Sequence, residues 1–219
     1  MKIALLQMIV TADKQTNLNR AEELVKKAAQ GGADMAVLPE MFNCPYASAF
    51  FREYAEPKGG ETYRRLSEMA KRNAVYVVGG SIPQIRDNKI YNTSYTFDRQ
   101  GNEIHDYSKT HLFDIQVDGG QSFRESDTLT PGVGMGVFQT EFGLFGLGIS
   151  KDIQFQSDWQ LLQKKGALVC IVPGAFNMTT GPAHWELLFR ARAVDNQLFM
   201  AGVSPARDLD FSYHAYGHS

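Results

Sequence analysis

The chain has 219 residues, 43% of them hydrophobic and 21% charged, with a net charge of −2. These values exclude a disordered, collagen-like or coiled-coil chain, and at about 150 residues per domain the simplest reading is one continuous domain over residues 1–219. The charge leaves no electrostatic footprint for nucleic acid or an anionic membrane.

Cys44 and Cys170 are far apart and in no metal-like spacing, which fits a reducing, cytoplasmic setting rather than a disulfide framework. The N-terminal MKIALLQMIVTADKQ reads as a buried strand rather than a signal peptide, because Gln7 breaks its short apolar run. No stretch approaches the ~20 apolar residues that span a bilayer.

Taken in order, Ile3 to Met8 reads as a strand. From Asn17 the period becomes helical, with Leu18, Ala21, Leu24, Val25 and Ala28 on one face. Gly31 and Gly32 end that helix. Met35 to Leu38 is apolar throughout, as in a strand covered on both faces. Tyr63, Leu66, Met69 and Ala70 mark a second helix, and Val75 to Val78 a strand closed by Gly79 and Gly80. Tyr91 to Phe97 and Glu103 to Tyr107 flank a turn and read as a hairpin.

Phe142 to Ile149 reads as a strand interrupted by Gly143, Gly146 and Gly148, which marks a close approach of backbone or ligand. Those glycines are in the wrong order for a dinucleotide fingerprint. A helix over Trp159 to Lys165, a strand over Ala167 to Val172, a helix from Trp185 to Asn196 and a strand over Leu198 to Val203 follow. The interleaving predicts an α/β fold. Asp208 to Ser219 is aromatic and polar, with no helix expected.

In such sheets ligands bind beyond the carboxyl ends of the strands. Polar residues there are Glu40, Lys109 and Ser150, the last followed by Lys151 and Asp152. A carboxylate, an ammonium and a hydroxyl make a plausible site; solvated strand-end charges are the competing reading. His214 and His218 lack an acidic companion, so no metal site is expected.

Five segments carry a resemblance: LPEMFNCPY at 38–46, YSKTHLFD at 107–114, FRESDTLTPG at 123–132, LFGLGIS at 144–150 and IVPGAFNMTTGPAHWELLFRARAVDNQ at 171–197. In these the chain resembles the nitrilase superfamily of carbon–nitrogen hydrolases, within it the ω-amidase branch. The resemblance implies an α-β-β-α sandwich and a Glu-Lys-Cys triad that hydrolyses amides through a thioester, with no cofactor and no metal. It casts Glu40 as general base, Lys109 as the lysine and Glu125 as a positioning glutamate; the alternative for Glu125 is a helix-start or loop carboxylate. Phe113 and Phe176 become pocket walls, or plain core, and Lys151 and Phe176 join Glu125 in substrate binding. The partners implied are a small amide and a second copy in a homodimer.

The chain departs from the family pattern where the nucleophile sits. Ser150 stands for Cys, Lys151 for Tyr and Gln154 for Arg, and Gln156 and Ser157 are also unusual. Family members run on past the Gly-His-Ser segment, so a missing last strand and tail are expected. A hydroxyl is far less acidic than a thiol of pKa ~8.5, so weak or absent turnover is expected. The alternative is a pseudoenzyme that binds a small amide or a protein partner. Cys170, inside a strand, is read as a structural thiol, and Cys44 as an unpromising substitute nucleophile.

Overall fold

The computed structural model describes residues 1–116, 122–211 and 213–219, Ser122 through its backbone only. Its elements are β1 (Ile3–Leu5), α1 (Lys14–Gln30), β2 (Met35–Val37), α2 (Ser48–Glu53), α3 (Glu61–Asn73), β3 (Tyr76–Val78), β4 (Ile82–Arg86), β5 (Lys89–Phe97) and β6 (Glu103–Ser108). They continue with β7 (Asp114–Gln116), β8 (Ser122–Arg124), β9 (Val137–Thr140), β10 (Gly143–Leu147), α4 (Gln156–Lys164), β11 (Val169–Pro173), α5 (Gly181–Asn196) and β12 (Phe199–Val203). Short 3₁₀ turns cover Glu125–Asp127 and Ser150–Gln154.

Two sheets face each other. The first has the order β1-β2-β3-β5-β4, with β6 added on β5; β1, β2 and β3 are parallel and the rest antiparallel. The second has the order β12-β11-β10-β9, with β9 antiparallel to β10. Alternation within β2 shows how the layers form. Met35 and Val37 enter the core between the sheets with Phe145, Leu147 and Ile171. Ala36 faces the other way, toward Leu18, Ala21 and Val25 of α1 and Leu66 and Met69 of α3.

On the second sheet a Cβ at Gly146 would lie 2.7 Å from Leu162 of α4, and one at Gly202 would lie 2.4 Å from the Phe189 ring of α5. Those glycines let both helices press onto the outer face. The layering is α-β-β-α.

Several boundaries differ from the sequence reading. β1 stops at Leu5, because after one more bond from Leu6 N–H to Val37 the Gln7 N–H turns back to the Leu5 carbonyl. α1 starts three residues earlier than its apolar period, capped by the Asp13 side chain on Thr16 N–H at 3.0 Å. Phe142 lies in the turn between β9 and β10, where its N–H is held by the Thr140 hydroxyl at 3.1 Å. α5 opens with Gly181 and Pro182, a turn before Trp185. In the C-terminal segment Tyr216 N–H bonds the Phe176 carbonyl at 2.7 Å; Ser212 lies outside the described residues.

The loops after β2 and β3 are knitted together at one point. Gly80 has φ +54°, and a Cβ there would lie 2.0 Å from the Pro39 carbonyl oxygen. Gly80→Ala is therefore expected to destabilise the fold by about 2 kcal/mol or more, through both backbone strain and the clash. A urea denaturation midpoint shift reads it out.

Candidate active site

Glu40 follows β2 after Leu38 and Pro39. The next residue, Met41, adopts φ +51°, and its N–H bonds the Ser81 hydroxyl at 3.1 Å. This left-handed bend in a buried, non-glycine residue turns the chain sharply just beyond the carboxylate. Lys109 follows β6, its backbone fixed by bonds to the Asn92 carbonyl and from Gly132 N–H, both 2.8 Å. Glu125 opens its 3₁₀ turn and exchanges bonds with Phe113: its N–H reaches the Phe113 carbonyl, and its Oε2 accepts Phe113 N–H at 2.7 Å.

These three side chains meet. Lys109 Nζ donates to Glu40 Oε1 at 2.9 Å and to Glu125 Oε1 at 3.0 Å, and both ion pairs are removed from solvent. Two carboxylates thus share one ammonium. Burial works against the Lys109 charge, but the Glu125 and Glu40 charges and their hydrogen bonds outweigh it and hold the ammonium above the usual lysine range. For Glu125, burial, with the Glu40 charge added, raises the carboxyl against the pull of Lys109.

The two oxygens of Glu40 differ. Oε1 accepts Lys109, Asn92 Nδ2 at 2.9 Å and the Tyr46 hydroxyl at 3.4 Å. Among the described residues Oε2 accepts a single bond, from Ala175 N–H at 2.7 Å. Oε2 therefore keeps the lone-pair capacity to take a further proton. The Tyr46 hydroxyl also donates to Glu125 Oε1, tying both carboxylates.

Ser150 sits on the turn beyond β10, at φ +49° and buried. Asp152 shapes this turn. Its carboxylate accepts Ile149 N–H at 2.8 Å, the Tyr107 hydroxyl at 2.7 Å and His111 N–H at 2.9 Å. Arg192 of α5 caps the end of the turn, donating to the carbonyls of Ile153 at 2.8 Å and Gln154 at 3.2 Å. Gly174, just past β11, stands against this turn: a Cβ there would lie 3.4 Å from Ser150 Cα.

Ser150, Lys151 and Phe176 line a cavity with Tyr46, Phe113 and Ala175. Glu40, Lys109 and Glu125 lie behind its wall, joined to it by Tyr46 and Ala175, which line the cavity and bond to those carboxylates. The structure therefore brings the six sequence-predicted residues to one place in two layers: a buried charge cluster and a cavity. Among the described residues, neither the Ser150 hydroxyl nor the Lys151 backbone N–H makes a hydrogen bond. The arrangement supplies a proton-accepting carboxylate, a fixed cation, a hydroxyl and a free N–H donor.

Tyr46, Asn92, Ala175 and Asp152 hold this site and carried no assigned role in the sequence reading. Tyr46 and Ala175 lie within segments that carried the family resemblance, and Asp152 stands two residues after Ser150 at a strand end; Asn92 gave no signal of its own. The two thiols are fully buried, burial pushing Cys170 up to about 12 and Cys44 upward as well. Cys44 lines a separate void behind Glu40. Among the described residues no group of three or more His, Cys, Asp or Glu gathers as metal ligands, and no helix is long and apolar enough to cross a membrane.

Comparison with known proteins agrees with this architecture. The carbon–nitrogen hydrolase family matches residues 2–219. Omega-amidase NIT2 of Xenopus tropicalis is 51% identical over 218 residues, covering 100% of this chain and 79% of that protein. The human omega-amidase NIT2 is 47% identical with the same coverage. The crystal structure of Saccharomyces cerevisiae Nit3, a member of branch 10 of the nitrilase superfamily, superposes with a TM-score of 0.91 at 41% identity, covering 100% of this chain and 80% of that one. Matched from end to end in sequence and in fold, this chain belongs to the carbon–nitrogen hydrolase family of enzymes.

Proposed function

We propose that this chain, a single domain over residues 1–219, binds a small ω-amide and hydrolyses it slowly to acid and ammonia. The observation that carries this reading is the buried Lys109 bridging Glu40 and Glu125 at 2.9 and 3.0 Å directly behind the cavity that holds Ser150. The names of its omega-amidase relatives support the choice of substrate.

In this reading Glu40 Oε2 takes the proton of Ser150 as its oxygen bonds to the amide carbon. Lys151 N–H donates to the developing oxyanion, and Lys109 keeps the charge cluster in place. The C–N bond then breaks, the proton passes from Glu40 to the leaving nitrogen, and water releases the acid by the same path. Turnover is slow because a carboxylate is a poor base for an alcohol.

One observation favours a second reading, binding without turnover. A working serine is hydrogen-bonded to its base, whereas the Ser150 hydroxyl makes no such bond among the described residues. Ammonia release from succinamate decides between them. The hydrolase reading expects a low rate that Glu40→Gln abolishes; a native rate equal to that of Glu40→Gln supports binding alone. A homodimer is part of the proposal, with the exposed Leu187, Val194 and Phe199 as the apolar side chains available to such a contact; sedimentation velocity reads its mass as one chain or two.

A further inference from the structure

The aromatic segment after β12 reaches the residue that holds the base. It runs beside the loop after β11: Asn177 and Ala215 form an antiparallel bridge, and Tyr216 N–H bonds the Phe176 carbonyl at 2.7 Å. Ala206 N–H donates to the Met8 carbonyl and Arg207 Nη2 to the Tyr216 carbonyl, both at 2.8 Å, so the segment is pinned on either side of residues 208–213. Two residues before the bridge, the Tyr213 hydroxyl donates to the Ala175 carbonyl. Ala175 is the residue whose N–H, at 2.7 Å, makes the single bond on Glu40 Oε2 among the described residues. That N–H and that carbonyl flank the same Cα. Held at its carbonyl, the residue has less freedom to swing its N–H away from the carboxylate.

Tyr213 also touches a second holder of Glu40. Its ring packs on that of Tyr46, with centroids 4.7 Å apart and planes tilted by 32°, and the Tyr46 hydroxyl bonds both Glu40 Oε1 and Glu125 Oε1. Burial, and then the charges of Glu40 and Glu125, raise the Tyr213 phenol well above the usual tyrosine range, so it stays a neutral donor. The residue lines both the Ser150 cavity and the void behind Glu40. Ring and hydroxyl thus do different things: the ring is wall, and the hydroxyl is a tie to Ala175.

We propose that Tyr213 is a positioning residue for the base: through the Ala175 carbonyl it keeps the Ala175 N–H on Glu40 Oε2, and so keeps that oxygen where it takes the proton of the nucleophile. The proposal rests on Glu40 acting as the base of an amidase. Tyr213 itself exchanges no proton with the ligand; it acts through Ala175.

Tyr213→Phe removes one oxygen and keeps the ring, and it tests the proposal in two ways. In the otherwise native chain, amide hydrogen exchange read by NMR needs no turnover. Exchange of the Ala175 N–H is expected to quicken about tenfold or more, while Cys170 and Ile171 within β11 stay within about twofold, which also shows that the variant folds. In the Ser150→Cys chain, kcat for ammonia release from succinamate is expected to fall about tenfold, the size of one hydrogen bond, with KM within about twofold. A lost cavity wall would raise KM instead. Unchanged exchange at Ala175, or an unmoved kcat, overturns the positioning role. No ammonia from Ser150→Cys with Tyr213 intact overturns the amidase reading, and exchange at Ala175 alone then decides whether Tyr213 holds that N–H.

Discussion

Ser150→Cys is expected to raise ammonia release from succinamate about a thousandfold or more, which corresponds to about 4 kcal/mol of barrier. The physical reason is acidity. A thiol of pKa ~8.5 already holds some thiolate at neutral pH, and cations lower it further. The Lys109 charge reaches this turn: it acts on both Lys151 and Asp152, the residues that follow position 150. A serine hydroxyl must instead lose its proton during attack, to a carboxylate that accepts it poorly. The other parts stay in place in the variant, because Asp152 and Arg192 fix the turn through hydrogen bonds that do not involve the Ser150 hydroxyl. A continuous ammonia assay reads the gain. A folded Ser150→Cys chain that binds succinamate and releases no ammonia shows that Lys151 and Gln154, or their neighbours, have changed the site beyond its nucleophile.

Lys109→Met is expected to cost about 3–5 kcal/mol of folding stability, the range found when one partner of a buried ion pair is removed. The methionine fills similar volume, so the loss is electrostatic: Glu40 and Glu125 are left buried with no cation between them. The pH dependence follows from direction. Burial already raises the Glu125 carboxyl in the native chain against the pull of Lys109. Without that pull its folded value rises further above its unfolded one. The folded variant then binds a proton more tightly than the unfolded chain, so its stability is retained at acid pH and lost as pH rises through the folded value. The penalty measured by urea denaturation is therefore larger at pH 8 than at pH 5. Adding Glu125→Gln to Lys109→Met, which removes one orphaned charge, is expected to recover part of the loss. Equal penalties at both pH values contradict a charged cluster.

The strand ends were legible because their physics is local. Met35 to Leu38 is apolar on both faces, so Glu40 stood out as the first polar residue beyond a buried strand; Lys109 after the hairpin was found the same way. Glu125 was not legible from pattern, since a lone acid in a turn looks solvated, and only the family resemblance pointed to it. The bonds that tie the site together were not legible at all. Asn92 sits inside β5, where its side chain reads as one polar member of an alternating strand, yet it crosses to Glu40 at 2.9 Å. Ala175 contributes only a backbone N–H, which no side-chain pattern reports. α1 illustrates a different gap. Its apolar stripe begins at Leu18, whereas its start is set by the Asp13 cap and a polar first turn. Hydrophobic periodicity finds buried faces and is blind to the exposed turn that precedes them.

The central claim is that an amide carbon is attacked at position 150 with Glu40 as the base. Intact-mass and peptide mass spectrometry of Ser150→Cys, quenched during turnover of succinamate, tests it most directly. The expected result is a covalent adduct equal to the amide minus ammonia, mapped to position 150 and absent when Glu40→Gln is added, with Cys44 and Cys170 unmodified. An acyl group on Cys44, or an adduct that persists undiminished without the Glu40 carboxylate, would contradict the claim.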